Sequence, residues 1–595
     1  MRLEKKNYAL EADESGSFRI DTPDHDLMWI KSPSLPMLPL GNRACIFGKP
    51  TLRTERRADG ADVLTFAMDS NTLYEKPCVV FICKDDHVEV FFKARVRRRF
   101  ALHKWYLLPM GAVLNALECL DFRSHINSPD AYEVHQTILG RRKLGTWGLD
   151  ANTNDSDLMF GPHPMLFVFN NLDHSLVLGP MGLVQAESLI IKMYKGTRTI
   201  DDFHIRVGPS LYWLEPGEEI ESPHYMIVQA ECSNPFQSLS AYTNVLVREG
   251  LVKHKTEAEM QDWWYSPMWC TYGDQHVPLE GEATRMASDP NARVELCDRA
   301  TEEMVLRGVN AIEKNKLPIR TLIIDDRWYT WQGDMVADTR KFPDMRGLVD
   351  RLHARGYKVI CWASLFQFER ESEAYQKHPE WFIIHHYDRN HHNPERNWPH
   401  LDYSDPKVVG PYLKDLMERL LSDGPKGYNF DGIKFDWPFV VPHDYAYPDR
   451  NWVGKEMTIY RTQKLIYQTA KTAKHNALII GVSPHPFFND TQDIIRTYDV
   501  STSDMRIHLN RARYIHAISP GMTAALDEAG YHENFFKYME NACQLGIPMI
   551  YNLLCFNMDD VRYSDEDYRT LRNILNAYVN KNPRLKRYYQ SLPKA

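Results

Sequence analysis

A cation and an anion lie two residues apart in the stretch YNFDGIKFDWPF, residues 428–439, inside a short apolar run. Residues two apart in a β-strand lie on the same face of the sheet. Lys434 and Asp436 would therefore point to one side, while Ile433 and Phe435 pack on the other. A buried Lys–Asp pair could do no more than offset its own desolvation. A carboxylate that a nearby cation keeps ionised could instead serve as a nucleophile.

Polar and aromatic side chains also lie at the ends of other short apolar runs in the second half of the chain. In chain order they are Asp274, Asp325, Asp326, Trp328, Trp362, Ser483, His485, Asp504, Asp527, Glu528 and Asn552. Carboxylates dominate this set. Because a buried charge without a partner is costly, acids would not gather at strand ends for a purely structural reason. The pattern therefore indicates a chemical site.

The elements that would position these residues are strands alternating with amphipathic helices, from about residue 265 onward. The eight predicted strands are 267–272, 320–325, 357–364, 431–436, 477–483, 498–503, 521–527 and 547–554. Such alternation predicts a parallel (β/α)₈ barrel, here over residues 265–595 with one long C-terminal helix. Barrel enzymes carry their chemistry at the C-terminal ends of the strands, where the acids are expected.

Residues 1–245 show a different pattern of short alternating segments and few helix-length repeats. The segments 78–96, 164–181 and 211–231 each read as strands joined by a polar turn. We therefore predict an N-terminal β-sandwich over 1–245 and a helical linker over 246–264.

Two carboxylates beside aromatic side chains form the arrangement that glycoside hydrolysis requires. Asp436 fits the nucleophile and Asp504, in STSDMR, fits the general acid/base, although an Asp after Ser and Thr also suits a helix N-cap. A retaining mechanism would place the two carboxyl groups about 5–5.5 Å apart.

Several ordered motifs resemble those of clan D retaining α-glycosidases, most of all family 36, the melibiase-type α-galactosidases. They are the segment TLIIDDRWYTWQGD with the following KFP and GYKVICW, then HPEW, GIKFD and STSD. The resemblance implies a covalent double displacement, with Asp436 as nucleophile and Asp504 as acid/base. It also implies sugar contacts from Asp325, Asp326 and Lys434, and aromatic walls from Trp328 and Trp362. Asp274 and His485, at the ends of strands one and five, are predicted to contact substrate as well.

The sequence departs from the family pattern in loops that read sugar hydroxyls. Arg327 stands where the family has Gly, WPF follows the predicted nucleophile, and VSPHPFFND occupies the turn after strand five. A family 31-like α-glucosidase or α-xylosidase is therefore an alternative. A barrel that binds carbohydrate without turnover and a metal-dependent barrel hydrolase are two more, of which the last needs clustered ligands.

The totals of the 595-residue chain narrow the class of protein. A formal net charge of −8 disfavours nucleic-acid binding, and no apolar run reaches the length of a membrane helix. The N-terminus lacks the apolar region of a signal peptide, and the ten cysteines show no CxxC spacing. We predict a cytoplasmic enzyme without a cofactor that acts on an oligosaccharide or glycoside, alone or as a homo-oligomer. The histidine-rich segment 385–392 is predicted as a loop, because its spacing fits no metal motif.

Overall fold

The structure is a computed structural model, and its described residues are 1–41, 47–115, 118–122, 164, 166–183, 186–190, 199–207, 212–232, 234–275, 299–384, 399–438, 449–452, 455–497, 500–501, 505–529, 534–556 and 561–592. Structural statements below refer to these ranges.

The N-terminal part consists of two antiparallel sheets of nine strands each. In the first sheet the order of neighbouring strands is β1 (Arg2–Glu4), β2 (Ala9–Ala12), β3 (Phe18–Asp21), β4 (Met28–Ser32), β10 (Phe100–Leu114), β15 (Thr199–Val207) and β14 (Ala186–Ile190). Two more strands pair with β10, namely β5 (Met37–Gly41) and β16 (Tyr212–Leu214). In the second the order is β11 (Glu118–Phe122), β12 (Leu166–Asn170), β13 (Ser175–Pro180), β18 (Tyr225–Ala230), β9 (His87–Val96), β8 (Tyr74–Cys83), β7 (Asp62–Ala67) and β6 (Thr51–Arg56), with β17 (Glu219–Glu221) on β9.

The two sheets face each other across one apolar core. Leu10, Ile20 and Trp29 of the first sheet lie in the same buried cluster as Phe81 and Phe92 of the second. Alternate residues of strands such as β8 and β9 enter this cluster, as the period-two pattern predicts. The N-terminal part is therefore a β-sandwich, as expected.

A single helix joins the sandwich to the barrel. Helix α1 (Pro235–Arg248) begins at Asn234, whose side chain accepts the backbone N–H groups of Phe236 and Gln237. Its apolar face packs on the outer side of the second sheet and on the barrel residue Tyr514. Most of α1 precedes residue 246, so the predicted linker begins at its C-terminal end, and the domain limits themselves stay a prediction.

Eight parallel strands close into a barrel. Their order around it is β19 (Met268–Cys270), β20 (Thr321–Ile324), β21 (Lys358–Ala363), β24 (Gly432–Phe435), β25 (Leu478–Gly481), β26 (Ile494–Arg496), β28 (Thr523–Ala529) and β29 (Ile547–Ile550), which pairs with β19 again. Two antiparallel pairs of short strands are described outside it, β22 (Phe382–Ile384) with β23 (Pro399–Leu401) and β30 (Cys555–Phe556) with β31 (Val561–Arg562). The predicted (β/α)₈ barrel is confirmed.

Alternation along the barrel strands separates two apolar layers. Ile323 and Ile360 belong to the inner cluster that fills the barrel. Their neighbours Leu322 and Val359 belong to the outer cluster between strands and helices. Ile433 and Phe435 are in the outer cluster too. Lys434 and Asp436, which alternate with them, therefore point toward the barrel interior, as predicted.

Strand six begins earlier than predicted. The barrel strand is β26, at 494–496, and the segment proposed for it supplies only β27 (Val500–Ser501), which pairs with the end of β28. Thr497 continues the ladder by donating its N–H to the Ala525 carbonyl at 2.9 Å. The sequence misplaced this strand because only the pair Ile494–Ile495 marks it as apolar before Arg496 interrupts the run.

The remaining helices follow the barrel strands. They are α2 (Tyr272–Gln275), α3 (Glu302–Lys314), α4 (Met345–Ala354), α5 (Glu373–Lys377), α6 (Pro406–Leu421), α7 (Lys455–Ala473), α8 (Met505–Ile518), α9 (Phe535–Leu545), α10 (Asp565–Lys581) and α11 (Pro583–Ser591). The predicted single C-terminal helix is two, because Pro583 lacks an N–H donor and Asn582 caps the second helix. Among the described helices none is long and apolar enough to span a membrane.

Candidate active site

Lys434, at the C-terminal end of β24, pairs with strand two. Its Nζ lies 2.6 Å from Asp325 Oδ2, with both side chains about fully buried. Cys270 donates its thiol to the same carboxylate oxygen at 3.0 Å. Burial lowers the pKa of Lys434, but the Asp325 carboxylate outweighs it and the pKa lies above the ordinary value for lysine. The Lys434 side chain is therefore a protonated ammonium group in hydrogen-bond contact with Asp325.

Asp436 is held by three donors from three directions. Its Oδ1 accepts from Arg496 Nη2 at 2.8 Å and from the Trp437 backbone N–H at 3.1 Å. Its Oδ2 accepts from Trp362 Nε1 at 3.1 Å. The residue is 5% exposed, so the carboxylate sits at the edge of the barrel interior in a fixed orientation.

Arg496 is the residue of this site that sequence reasoning missed. It ends β26, is 0% exposed, and its Nη1 lies 2.8 Å from Asp527 Oδ2 and 3.1 Å from the Tyr551 hydroxyl. Burial raises the pKa of Asp527, but Arg496 and Lys434 outweigh it and the pKa lies below its usual range. An arginine directly after two isoleucines was the available signal, because a cation inside a buried run needs partners.

Asp326 lies on the other side of Trp362. Its Oδ1 accepts the Arg327 backbone N–H at 2.8 Å and the Tyr329 hydroxyl. The Tyr329 ring stacks on Trp362 at 6.0 Å between centroids and 16° between planes. Burial raises the pKa of Asp326 above its usual range, although Arg327 and Tyr329 partly offset this effect. Asp326 and Asp436 are therefore linked through Trp362 and Tyr329.

The residues after Asp326 and Asp436 share an unusual backbone conformation. Arg327 has φ +73° and Trp437 has φ +60°, a left-handed conformation that is uncommon outside glycine. Each donates its own N–H to the preceding aspartate side chain. Left-handed backbone costs about 1–2 kcal/mol per residue, and such strain clusters at functional sites. The side chain of Trp437 is 37% exposed beside Asp436.

The two predicted tryptophans differ in position. Trp362 contacts Asp436 directly, whereas Trp328 is 0% exposed and its indole N–H donates to the Trp362 carbonyl at 3.0 Å. The Trp328 ring packs edge-on against Tyr428 and Phe430. In this structure Trp328 supports Trp362 from the core and presents no face to a ligand.

Asp274 and His485 are engaged with other parts of the protein. Asp274 accepts Trp269 Nε1 at 2.9 Å and the N–H groups of Leu553 and Leu554 at 3.0 Å, and burial raises its pKa to about 7. His485 Nε2 lies 2.7 Å from Glu456 Oε1, and both side chains are buried. Asp274 and His485 therefore each hydrogen-bond to buried groups of the protein itself.

Asp504 and the histidine-rich segment 385–392 lie outside the described residues. Across the described ranges, no group of three His, Cys, Asp or Glu side chains is arranged to hold a metal ion. The position of the acid/base relative to Asp436 therefore stays a prediction.

Comparisons with known proteins find similarity to glycoside hydrolases. The family model described as "Glycosyl hydrolases family 31 TIM-barrel domain" matches residues 293–544. The chain is 29% identical over 159 residues to "A type blood alpha-D-galactosamine galactosaminidase" of Flavonifractor plautii, which is 24% of this chain and 14% of that protein. It is 27% identical over 129 residues to "Alpha-galactosidase AgaA" of Geobacillus stearothermophilus, 20% of this chain and 17% of that protein. The barrel of this chain is thus similar to the barrels of glycoside hydrolases.

The fold comparison extends this likeness beyond the barrel. The crystal structure of AgaA superposes with a TM-score of 0.58 at 12% identity, covering 98% of this chain and 86% of that one. AgaB of the same organism gives 0.58 at 13% identity, with 98% and 85% covered. The sandwich and the barrel are thus both shared with the family 36 structures. The sequence matches span well under two thirds of the curated relatives' own lengths.

Proposed function

We propose that this protein is a retaining exo-α-glycosidase that removes terminal α-linked sugars. Asp436 attacks the anomeric carbon to form a glycosyl-enzyme, and Asp504 protonates the leaving oxygen and then activates water. The observation that carries the proposal is Asp436 itself, held at the barrel mouth with one carboxylate oxygen bound only by an indole N–H among the contacts described. A nucleophile needs such a fixed orientation and an available oxygen.

The same geometry supports a sugar-binding subsite as part of the proposal. The Asp325 carboxylate and the Lys434 ammonium group offer an acceptor and donors next to Asp436, and Asp326 offers a second carboxylate beside Trp362. An aromatic face such as Trp362 suits the C–H face of a pyranose ring. We propose that these residues bind the hydroxyls of the terminal sugar.

An α-galactoside-like sugar is the first candidate. The relatives are named as a galactosaminidase and an α-galactosidase, and the matched AgaA variant structures hold raffinose or stachyose. These names describe those proteins and support the same substrate class here. The family 31 barrel model favours a second candidate, an α-glucosidase or α-xylosidase.

A panel of nitrophenyl α-glycosides tests the proposal. Galactoside, N-acetylgalactosaminide, galactosaminide, glucoside and xyloside are compared for kcat/KM, and proton NMR follows the first sugar released. We expect the α-anomer first, from a terminal sugar of the galacto series. Release of the β-anomer, or no hydrolysis of any member, would contradict the proposed function.

Asp436→Asn is the matching variant, with Asp405→Asn as its control. Asp405 caps α6 by accepting the Lys407 N–H at 2.9 Å, and asparagine caps a helix about as well. We expect Asp405→Asn to hydrolyse normally and Asp436→Asn to be inactive.

A further inference from the structure

Arg496 connects the predicted nucleophile to a second carboxylate that has no role in the proposed chemistry. Its two terminal nitrogens are 2.8 Å from Asp436 Oδ1 and 2.8 Å from Asp527 Oδ2, and the side chain is 0% exposed. A buried arginine is tolerated when carboxylates and further hydrogen bonds satisfy it. The guanidinium plane is therefore fixed from both sides.

Asp527 is itself held in place. Its Oδ1 accepts the Thr497 hydroxyl at 2.9 Å, and its Oδ2 accepts the Tyr551 hydroxyl at 3.0 Å in addition to Arg496. These contacts come from β26, β28 and the end of β29, three neighbouring barrel strands. Asp527 can thus orient Arg496 without contacting a ligand.

The two oxygens of Asp436 receive different donors. Oδ1 accepts a charge-assisted hydrogen bond from Arg496 and a backbone N–H from Trp437, whereas Oδ2 accepts the indole N–H of Trp362. Hydrogen bonds from ionised donors are roughly twice as strong as neutral ones. Negative charge is therefore stabilised on Oδ1, and Oδ2 is the oxygen more easily freed to form a bond.

We propose that Arg496 is a positioning residue that selects Asp436 Oδ2 as the attacking oxygen and accelerates breakdown of the glycosyl-enzyme. This inference rests on the proposed retaining function. Asp527 acts through Arg496 by holding the guanidinium group against Oδ1.

The effect on the two chemical steps is unequal. In the first step an Oδ2 electron pair forms the bond to the anomeric carbon, and the bond to the leaving oxygen breaks toward that oxygen, which takes a proton from the acid. Asp436 then carries a neutral ester, with Oδ1 as its carbonyl oxygen. In the second step water attacks, the ester C–O bond breaks toward Oδ2, and the general base takes the water proton.

Arg496 opposes the first step slightly and assists the second. The first step consumes a carboxylate charge that Arg496 stabilises in the free enzyme. The second step regenerates that charge, so the same hydrogen bond strengthens as the transition state is approached. Loss of Arg496 should therefore slow deglycosylation while leaving kcat/KM, which reports the first irreversible step, much less changed.

Arg496→Met and Arg496→Lys test this with the activated aryl α-glycoside that wild type hydrolyses fastest. We expect kcat of Arg496→Met to fall roughly 10- to 100-fold, the scale of a charge-assisted hydrogen bond. KM should fall with it, and intact-protein mass spectrometry of the quenched steady state should show a larger fraction carrying one sugar residue. Arg496→Lys keeps the charge and should show the same changes to a smaller extent.

Arg511→Lys is the control for altering a buried arginine. Arg511 is also buried, lies on α8 and donates to the Thr497 carbonyl at 2.9 Å. It should leave the ratio of kcat to kcat/KM and the glycosylated fraction as in wild type. Where Arg496→Met does not fold by circular dichroism, Arg496→Lys carries the test.

Equal losses in kcat and kcat/KM without accumulated glycosyl-enzyme, in an Arg496 variant that folds, would overturn the inference. That result leaves wild-type retention intact and so leaves the proposed function standing. Failure of the proposed function appears in wild type instead, as inversion or as no hydrolysis of any glycoside.

Discussion

Replacing both members of the buried pair between Lys434 and Asp325 should restore stability but not activity. Each side chain is 2% exposed, and the ion pair spans 2.6 Å. Lys434→Met leaves Asp325 with a buried charge, and Asp325→Leu does the same to Lys434. Breaking a buried pair in this way typically costs about 3–5 kcal/mol, whereas replacing both partners with apolar residues of similar size is often neutral or better.

The double variant should therefore be within about 1 kcal/mol of wild type, with both single variants destabilised by about 3–5 kcal/mol. All three should have lost hydrolysis, because the subsite would lack its acceptor, its donors or both. Stability is measured as the urea midpoint of the barrel transition, followed by tryptophan fluorescence alongside circular dichroism, since a protein with a sandwich and a barrel need not unfold in one step.

A surface pair of similar chemistry provides the control. Lys377 and Glu373 of α5 form an ion pair with both side chains about two thirds exposed, at 65% and 66%. Lys377→Met and Glu373→Leu should each leave stability close to that of wild type, because an exposed ion pair contributes little, and should leave activity unchanged. Single Lys434 and Asp325 variants no less stable than these controls, or a double variant as unstable as the sum of its singles, would refute the reasoning. So would hydrolysis at the wild-type rate by the double variant.

Three further outcomes follow from the same residues. Asp436→Ala should abolish turnover, and azide should partly restore it by occupying the vacated space; full activity of this variant without an added anion would remove Asp436 from the nucleophile role. Asp504→Ala should slow hydrolysis most for glycosides with poor leaving groups, because activated aryl glycosides need less proton donation; equal losses across a leaving-group series would contradict its assignment. Burial raises the pKa of Asp274 to about 7, so the folded state binds a proton that the unfolded state releases near pH 4, and this group's contribution to stability should fall as pH rises from about 4 to 7. Asp274→Asn should remove that slope, and denaturation midpoints that show the same pH dependence in both proteins would show that Asp274 does not titrate in this window.

The architecture was predictable because hydrophobic periodicity is a local property. Strands such as 321–324 and 358–363 are apolar runs flanked by helices with capped starts, and both lie within one or two residues of their predicted limits. Strand six failed for the same reason. Its apolar part is two residues long, and the run that looked like a strand begins only at Tyr498. A three-residue strand is held by the neighbouring strands β25 and β28, and that pairing is invisible in one sequence.

The sequence predicted a shared direction for two of the charged side chains but not their ion-pair partners. Side-chain alternation correctly gave Lys434 and Asp436 a common direction, yet each found its partner on another strand. Lys434 pairs with a residue 109 positions earlier, and Asp436 pairs with Arg496, 60 positions later. Long-range pairing depends on strand order and stagger, which sequence spacing does not contain.

The five charged groups at the barrel mouth explain why the chain places a cation and an anion two residues apart. Asp325, Lys434, Asp436, Arg496 and Asp527 form two ion-paired sets in which three carboxylates meet two cations. One negative charge is left over, next to the position where the sugar would bind. Under the proposed mechanism the transition state is oxocarbenium-like and positively charged at the sugar ring. A fixed excess of one negative charge in a buried site stabilises that state more than the neutral substrate. Lys434 points to the same side of the strand as Asp436 and there neutralises Asp325, so that the excess charge of the cluster is one and not two.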